Sequence, residues 1–247
     1  MSIKQKTFVK VKKHKIHYIL KKKKINGPKL SVVFLHGYGS DLHGKKALFI
    51  EELRKKIGFE YLRFDFSGHG SSTGELEDQR ISDWLLEGLA VLEKSKYPLL
   101  LIGSSLGGWV SFLIHNKIQR KVFGIIGIAA AADFTDVILK KKLEQEPVYH
   151  NKNDPVTNET YYFSKGFLED GQKHLILKNK IKSPEKVILY YGQNDNVVTI
   201  ETQLNLLKKL DCNHANLIIN KTGDHSLSSK EDLIMLKSFI KNFIKDI

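Results

Sequence analysis

Six short apolar runs, each stopping in small or polar residues, leave this chain few folds to choose from. They are KLSVVFLHG, FEYLRFDFSG, YPLLLIGSS, VFGIIGIAAAA, EKVILYYGQND and, more weakly, NLIINKTGD. Most are nearly continuous in Val, Ile, Leu and Phe, which is how parallel strands buried on both faces read. Between them lie stripes of helical period: Ala47, Ile50, Leu53 and Ile57; Ile81, Trp84, Leu85, Leu89 and Leu92; and Leu233, Leu236, Ile240, Phe243 and Ile244. A capping-box pattern from Ser228 to Glu231 is expected to open the last helix. At the N-terminus, TFVKVKKHKIHYIL alternates apolar and basic residues around KKH, the pattern of an antiparallel hairpin. The sum is an α/β fold with a mainly parallel eight-stranded sheet and helices on both faces.

No internal repeat or linker of disordered composition divides residues 1–247, so one domain is expected. One connection is too long. About fifty residues separate the strand ending near Ala131 from the strand beginning near Lys186, where a helix and two loops would use about twenty. The excess, about 133–183, is rich in aromatics and is read as a cap inserted over the site. Its Tyr149, Tyr161, Tyr162, Phe163 and Phe167 suggest an apolar acyl pocket, or the packing of the cap itself.

The net charge of +13 invites a nucleic-acid reading, so its location matters. The first 40 residues hold 11 lysines and no acid, whereas the other 207 carry 29 basic and 27 acidic residues. Only four of the 40 basic residues are arginine, the residue favoured for base and phosphate readout. The lysines are read as guards on an exposed edge strand, where they block edge-to-edge pairing. Weak contact with an anionic membrane is the second reading, and nucleic acid is not an expected partner. No apolar run approaches the roughly 18–20 residues of a membrane helix. The N-terminal stretch resembles neither a secretion signal nor a transit peptide. With Cys212 the only cysteine, a cytoplasmic enzyme is the expectation.

Every polar cluster that needs explaining sits at the carboxyl end of a predicted strand: HGYGSD, DFSGHGSS, GSSLGG, GQND and GDHS. Ligands of open α/β sheets bind there. GSSLG fits G-x-S-x-G with Ser105 at its centre, after a buried strand and before a helix, the context that motif requires. The two glycines leave room for a tight, strained turn against neighbouring elements. A serine hydroxyl is a poor nucleophile without a base and a carboxylate to orient that base. In this architecture the order is serine, acid, histidine. Asp195 and His225 follow at the next two strand ends in that order, Asp195 as acid and His225 as base. Asp133, after the preceding strand, is a rival acid, and Asp224 is too close to His225 to orient it comfortably. His36 and His69 belong to turns, and His14 and His17 to the hairpin. The oxyanion donors are expected to be the backbone amides of Leu106, after the nucleophile, and Tyr38, in the loop after the first central strand.

HGYGS, RFDFSGHGSS, GSSLGGW, GQND and GDH together resemble the α/β-hydrolase family over roughly residues 30 to 245. GSSLGGW, RFDFSGHGSS and the IAAAAD run are more narrowly similar to a mitochondrial acyl-glucuronide esterase and palmitoyl-protein thioesterase subgroup with bacterial relatives. That resemblance implies a serine hydrolase of carboxyl esters or thioesters, with small-molecule or acylated-protein substrates and no metal or cofactor. It carries over Ser105, Asp195 and His225 as the triad and the Tyr38 and Leu106 amides as oxyanion donors. Tyr38, Tyr161, Tyr162 and Phe163 are the expected substrate contacts. The alternatives are a serine peptidase of prolyl-oligopeptidase type, or a catalytically silent ligand-binding member of the fold.

Overall fold

The computed structural model describes residues 6–118, 121–144, 152–153, 160–161 and 163–247. The basic N-terminal stretch forms the hairpin β1 (Thr7–Val11) and β2 (His14–Lys21), paired antiparallel. The apolar runs follow as β3 (Ser31–Leu35), β4 (Glu60–Phe64), β5 (Leu99–Ser104) and β6 (Val122–Ile128). A two-residue pair, β7 (Lys152–Asn153) and β8 (Thr160–Tyr161), stands apart, and β9 (Lys186–Gly192) and β10 (His214–Asn220) complete the main sheet. That sheet has eight strands in the order β1-β2-β4-β3-β5-β6-β9-β10. It is parallel from β4 to β10, and antiparallel where β2 meets β1 and β4. The lysine-bearing β1 is an edge strand, as its composition predicts.

Every residue of β3 and β4 is buried, which is why these strands read as continuous apolar runs rather than alternating ones. Alternate side chains serve opposite layers. Val33 and Leu35 join one core with Trp84, Trp109 and Phe112, whereas Val32 and Phe34 join the other with Ala47, Ile50, Leu236 and Ile240. The first core is covered by α2 (Ile81–Leu92) and α3 (Leu106–Lys117), the second by α1 (Lys45–Ile57) and α7 (Lys230–Lys245). The three predicted stripes are the buried faces of α1, α2 and α7. The long connection carries α4 (Phe134–Glu144) and α5 (Lys165–Gly171), and α6 (Ile200–Lys209) links β9 to β10.

The cap of α7 differs from the expectation by one residue. Ser229, not Ser228, is the N-cap, and its box partner is Asp232, not Glu231. Asp232 is selected because its carboxylate also accepts from the Tyr190 hydroxyl and the Asn220 amide, both at 2.7 Å, on the neighbouring strands. Glu231 has no such anchor in the sheet, and Ser228 instead donates to the Ser226 carbonyl.

The parallel register aligns the strand ends. Leu35 pairs with Gly103, Ser104 with Ile128, Ile128 with Tyr190, and Gly192 with Asn220. The turns that leave β3, β5, β9 and β10 therefore emerge on one rim, and all the chemistry-bearing clusters meet there.

Candidate active site

Ser105 stands between β5 and α3 with φ 53° and ψ −117°, a left-handed φ that a non-glycine residue rarely holds. Such strain persists only where surroundings over-determine it. Here the Ser105 amide donates to the Ile128 carbonyl at 2.8 Å, and the Ser105 carbonyl accepts from Gly108 and Ala131 at 2.9 and 3.0 Å. The flanking glycines are steric requirements. A Cβ on Gly103 would lie 2.1 Å from the Gly107 carbonyl oxygen, and one on Gly107 would lie 2.2 Å from that of Leu35. Both obstacles are backbone atoms that cannot rotate away. Gly107→Ala is therefore expected to destabilise the fold by about 3 kcal/mol, at the upper end of overpacking costs. That corresponds to a melting-temperature loss of roughly 6–12 °C, and an unchanged thermal melt would show that the elbow yields to a side chain.

The three residues predicted from strand ends meet. His225 Nε2 lies 3.1 Å from Ser105 Oγ, and His225 Nδ1 lies 2.8 Å from Asp195 Oδ2. The Asp195 side chain is fully buried. Its other oxygen accepts from the Val197 and Val198 amides at 2.8 and 2.9 Å, so the carboxylate cannot swivel. The turns bearing acid and base are themselves joined. Gln193 N donates to Asn220 O at 2.8 Å and Asn194 N to Gly223 O at 2.9 Å. An imidazole held in this way can receive the serine proton while the carboxylate fixes its tautomer.

The rival acids have other work. Asp133 accepts from the Ile176 and Leu177 amides, each at 2.8 Å, and burial raises its pKa. It anchors the chain returning from the long connection. Asp224 closes the turn around His225, accepting from Ser226 Oγ and from the Leu227 amide. Lys46 holds the same turn from α1. Its ammonium donates to the Ser226 carbonyl and, at 3.2 Å, to Ser228 Oγ. Burial lowers the Lys46 pKa to about 8.

A cavity of about 490 Å³ opens above Ser105, within the range of small-molecule sites. Ser105, Leu106, His225 and Tyr38 all line it, so the two expected oxyanion residues flank the serine. Leu106 begins α3, where a first-turn amide has no intrahelical acceptor. Gly37, preceding Tyr38, approaches Ser105 so closely that a Cβ there would lie 3.2 Å from the serine Cβ. Beneath the loop, His36 accepts from Phe66 N at 3.1 Å, and burial lowers its pKa to about 3, keeping it neutral. The Tyr38 ring packs against Phe163 and Trp84, with centroids 4.9 and 6.0 Å apart.

The chain is also similar to known proteins. Palmitoyl-protein thioesterase ABHD10, mitochondrial, of Homo sapiens is 32% identical over 232 residues, covering 90% of this chain and 75% of the relative. The chain belongs to the α/β-hydrolase family. A mouse protein described as alpha/beta hydrolase domain-containing protein 10 superposes with a TM-score of 0.85 at 28% identity, covering 98% of this chain and 99% of the other. A putative hydrolase from Agrobacterium vitis gives 0.88 at 28% identity, covering 97% and 98%. A family model described as serine aminopeptidase, S33, matches residues 26–145.

Two of the four expected substrate contacts lie on the cavity of this hydrolase. Tyr38 and Phe163 line the cavity. Tyr149 and Tyr162 lie outside the described residues, and Tyr161 falls in β8. Phe167 is buried behind Phe163, their rings stacked with centroids 5.6 Å apart, and supports the wall instead of lining it. Residues missed by sequence reasoning complete the wall: Phe134, Val137 and Ile138 of α4, and Val197 and Val198 after the acid. The spacing 134, 137, 138 is a helical stripe that could have been seen, but a stripe does not say what it faces.

Proposed function

We propose that this chain is a serine hydrolase of carboxyl esters or thioesters, with Ser105 as nucleophile, His225 as general base and acid, and Asp195 as the orienting carboxylate. The observation that carries this reading is the Asp195–His225–Ser105 hydrogen-bonded line, at 2.8 and 3.1 Å, beneath an apolar cavity. His225 takes the hydroxyl proton as Ser105 attacks the acyl carbonyl. The amides of Tyr38 and Leu106 receive the oxyanion, a contribution of about 3–4 kcal/mol per donor. His225 then protonates the departing alcohol or thiol, leaving acyl-Ser105. A water deprotonated by His225 releases the acid and restores the serine. Ester and thioester hydrolysis is also what unites the curated names of the relatives: ABHD10 is called a palmitoyl-protein thioesterase, and a Mycoplasma pneumoniae relative a putative esterase/lipase.

The segment from about 133 to 183 serves in this reading as a cap on a single domain, with Phe134, Ile138 and Phe163 facing the acyl chain. Action in a reducing compartment such as the cytoplasm accords with the lone Cys212. A peptidase with specificity for a free amino terminus is the less favoured reading. Among the described residues, the lysine and acidic side chains lining the cavity are Lys45 and Lys46 alone, of the wrong sign for a substrate ammonium.

The test is hydrolysis of p-nitrophenyl esters from acetate to palmitate beside one acyl thioester and one aminoacyl amide. kcat/KM is expected to rise with chain length by up to about 4-fold per methylene accommodated, from roughly 0.8 kcal/mol of burial each. Thioester turnover is expected, and amide turnover is not. A preference for acetate, or for the amide, would sink the acyl-pocket reading.

A further inference from the structure

His69 lies in the turn after β4, buried and away from the triad, yet its imidazole reaches the loop that carries Tyr38. Gly39 N lies 3.1 Å from His69 Nε2, and His69 Nδ1 lies 3.2 Å from the Ser67 carbonyl oxygen. A carbonyl oxygen can only accept, so Nδ1 carries the proton and Nε2 presents its lone pair to the Gly39 amide. We propose that His69 is a positioning residue: as a neutral acceptor it clamps the Gly37–Gly39 turn so that the Tyr38 amide points at the oxyanion. This rests on the proposed hydrolase reading and adds a residue to it.

Three features support the clamp. Gly39 has φ 71°, a left-handed backbone suited to glycine, at the residue whose amide meets His69. The base of the clamp is rigid. Ser67 N donates to Glu87 Oε2 at 2.9 Å, and the Ser67 carbonyl also accepts from Trp84 Nε1 at 3.1 Å. The far end of the same loop is tied to the same turn region, since Leu42 N donates to Asp65 Oδ1 at 2.7 Å. Burial also lowers the His69 pKa, which keeps the imidazole in the neutral form the clamp needs. An oxyanion donor acts only when it is aimed before the charge develops, so an acceptor holding the adjacent amide affects the transition state more than substrate binding.

The experiment compares His69→Phe, His69→Asn and His69→Gln with wild type and Ser105→Ala, on the best p-nitrophenyl ester. Phe fills the space without an acceptor, Asn leaves none at the Nε2 position, and Gln puts an amide oxygen there. Phe and Asn are expected to lower kcat about 10- to 100-fold with KM within about 3-fold, less than the roughly 10²–10³ lost with a donor removed outright. Binding of a trifluoromethyl ketone, whose serine adduct carries the oxyanion, should weaken by the same factor. Gln should recover kcat to within about 5-fold of wild type, since it restores the acceptor. The clamp is overturned if Phe and Asn keep kcat within about 3-fold, or if Gln does no better than they do. It is equally overturned if all three variants fail to fold, because His69 would then be a packing residue. Should Phe alone misfold, the Asn–Gln pair decides. Activity retained by Ser105→Ala would instead refute the hydrolase reading beneath it.

Discussion

Ser105→Ala is expected to remove ester hydrolysis by a factor on the order of 10⁵–10⁶ in kcat while leaving the melting temperature within about a degree of wild type. The size of the loss follows from the covalent route. Without Oγ there is no acyl-enzyme, and His225 and Asp195 have no nucleophile to activate. What survives is the smaller acceleration from substrate positioning and oxyanion donors acting on water. The fold should not notice the change. The Ser105 hydroxyl faces the cavity and, among the described residues, bonds only to His225, whereas the strained backbone is held by Ile128, Gly108 and Ala131 through main-chain groups that alanine keeps. Steady-state kinetics beside a thermal melt checks both halves. Activity within 100-fold of wild type in a folded variant would remove Ser105 as nucleophile.

Asp195→Asn should cost on the order of 10⁴ in kcat near neutral pH, again with little change in stability. The reason is the proton on His225. Asp195 Oδ1 is already committed to the Val197 and Val198 amides, which demand an oxygen. An asparagine must therefore turn its NH2 toward His225 Nδ1. That nitrogen then has to accept, the ring proton moves to Nε2, and the ring can no longer take a proton from Ser105. The geometry survives while the tautomer is wrong. Nitrogen-15 NMR of the histidine ring would report the proton on Nε2, and kinetics would report the loss. A variant within about 10-fold of wild type would show that Asp195 does not set the tautomer and would reopen the choice of acid.

The positions of these residues are legible in the sequence for a physical reason. Each sits where an apolar run stops, and the end of a buried parallel strand is marked by composition within a residue or two. The serine is marked twice, because the steric crowding at Gly103 and Gly107 excludes any side chain there. Topological order then selects Asp195 and His225. The rim of the sheet does the rest, since parallel register brings the ends of β5, β9 and β10 together whatever the loops contain.

Other features carry no such mark. Ser228 with Glu231 and Ser229 with Asp232 are equally good capping boxes on paper. Contacts of Asp232 with Tyr190 and Asn220, more than ten residues away or on another strand, choose between them. His69 reads as one more histidine in a glycine turn until the β3 and β4 loops are laid side by side. Phe134 and Ile138 form an apolar stripe that a core would explain as well as a pocket.

Local patterns in the sequence therefore determine the α/β architecture, the eight strands, the elbow at Ser105 and the order of its partners, because strand burial, helical period and backbone sterics act over a few residues. Tertiary structure alone decides which aromatics form the cavity wall, which serine caps α7, and that a histidine from the β4 turn grips the Tyr38 loop. Those outcomes depend on contacts between segments distant in sequence, and no local pattern encodes the face that a side chain will meet.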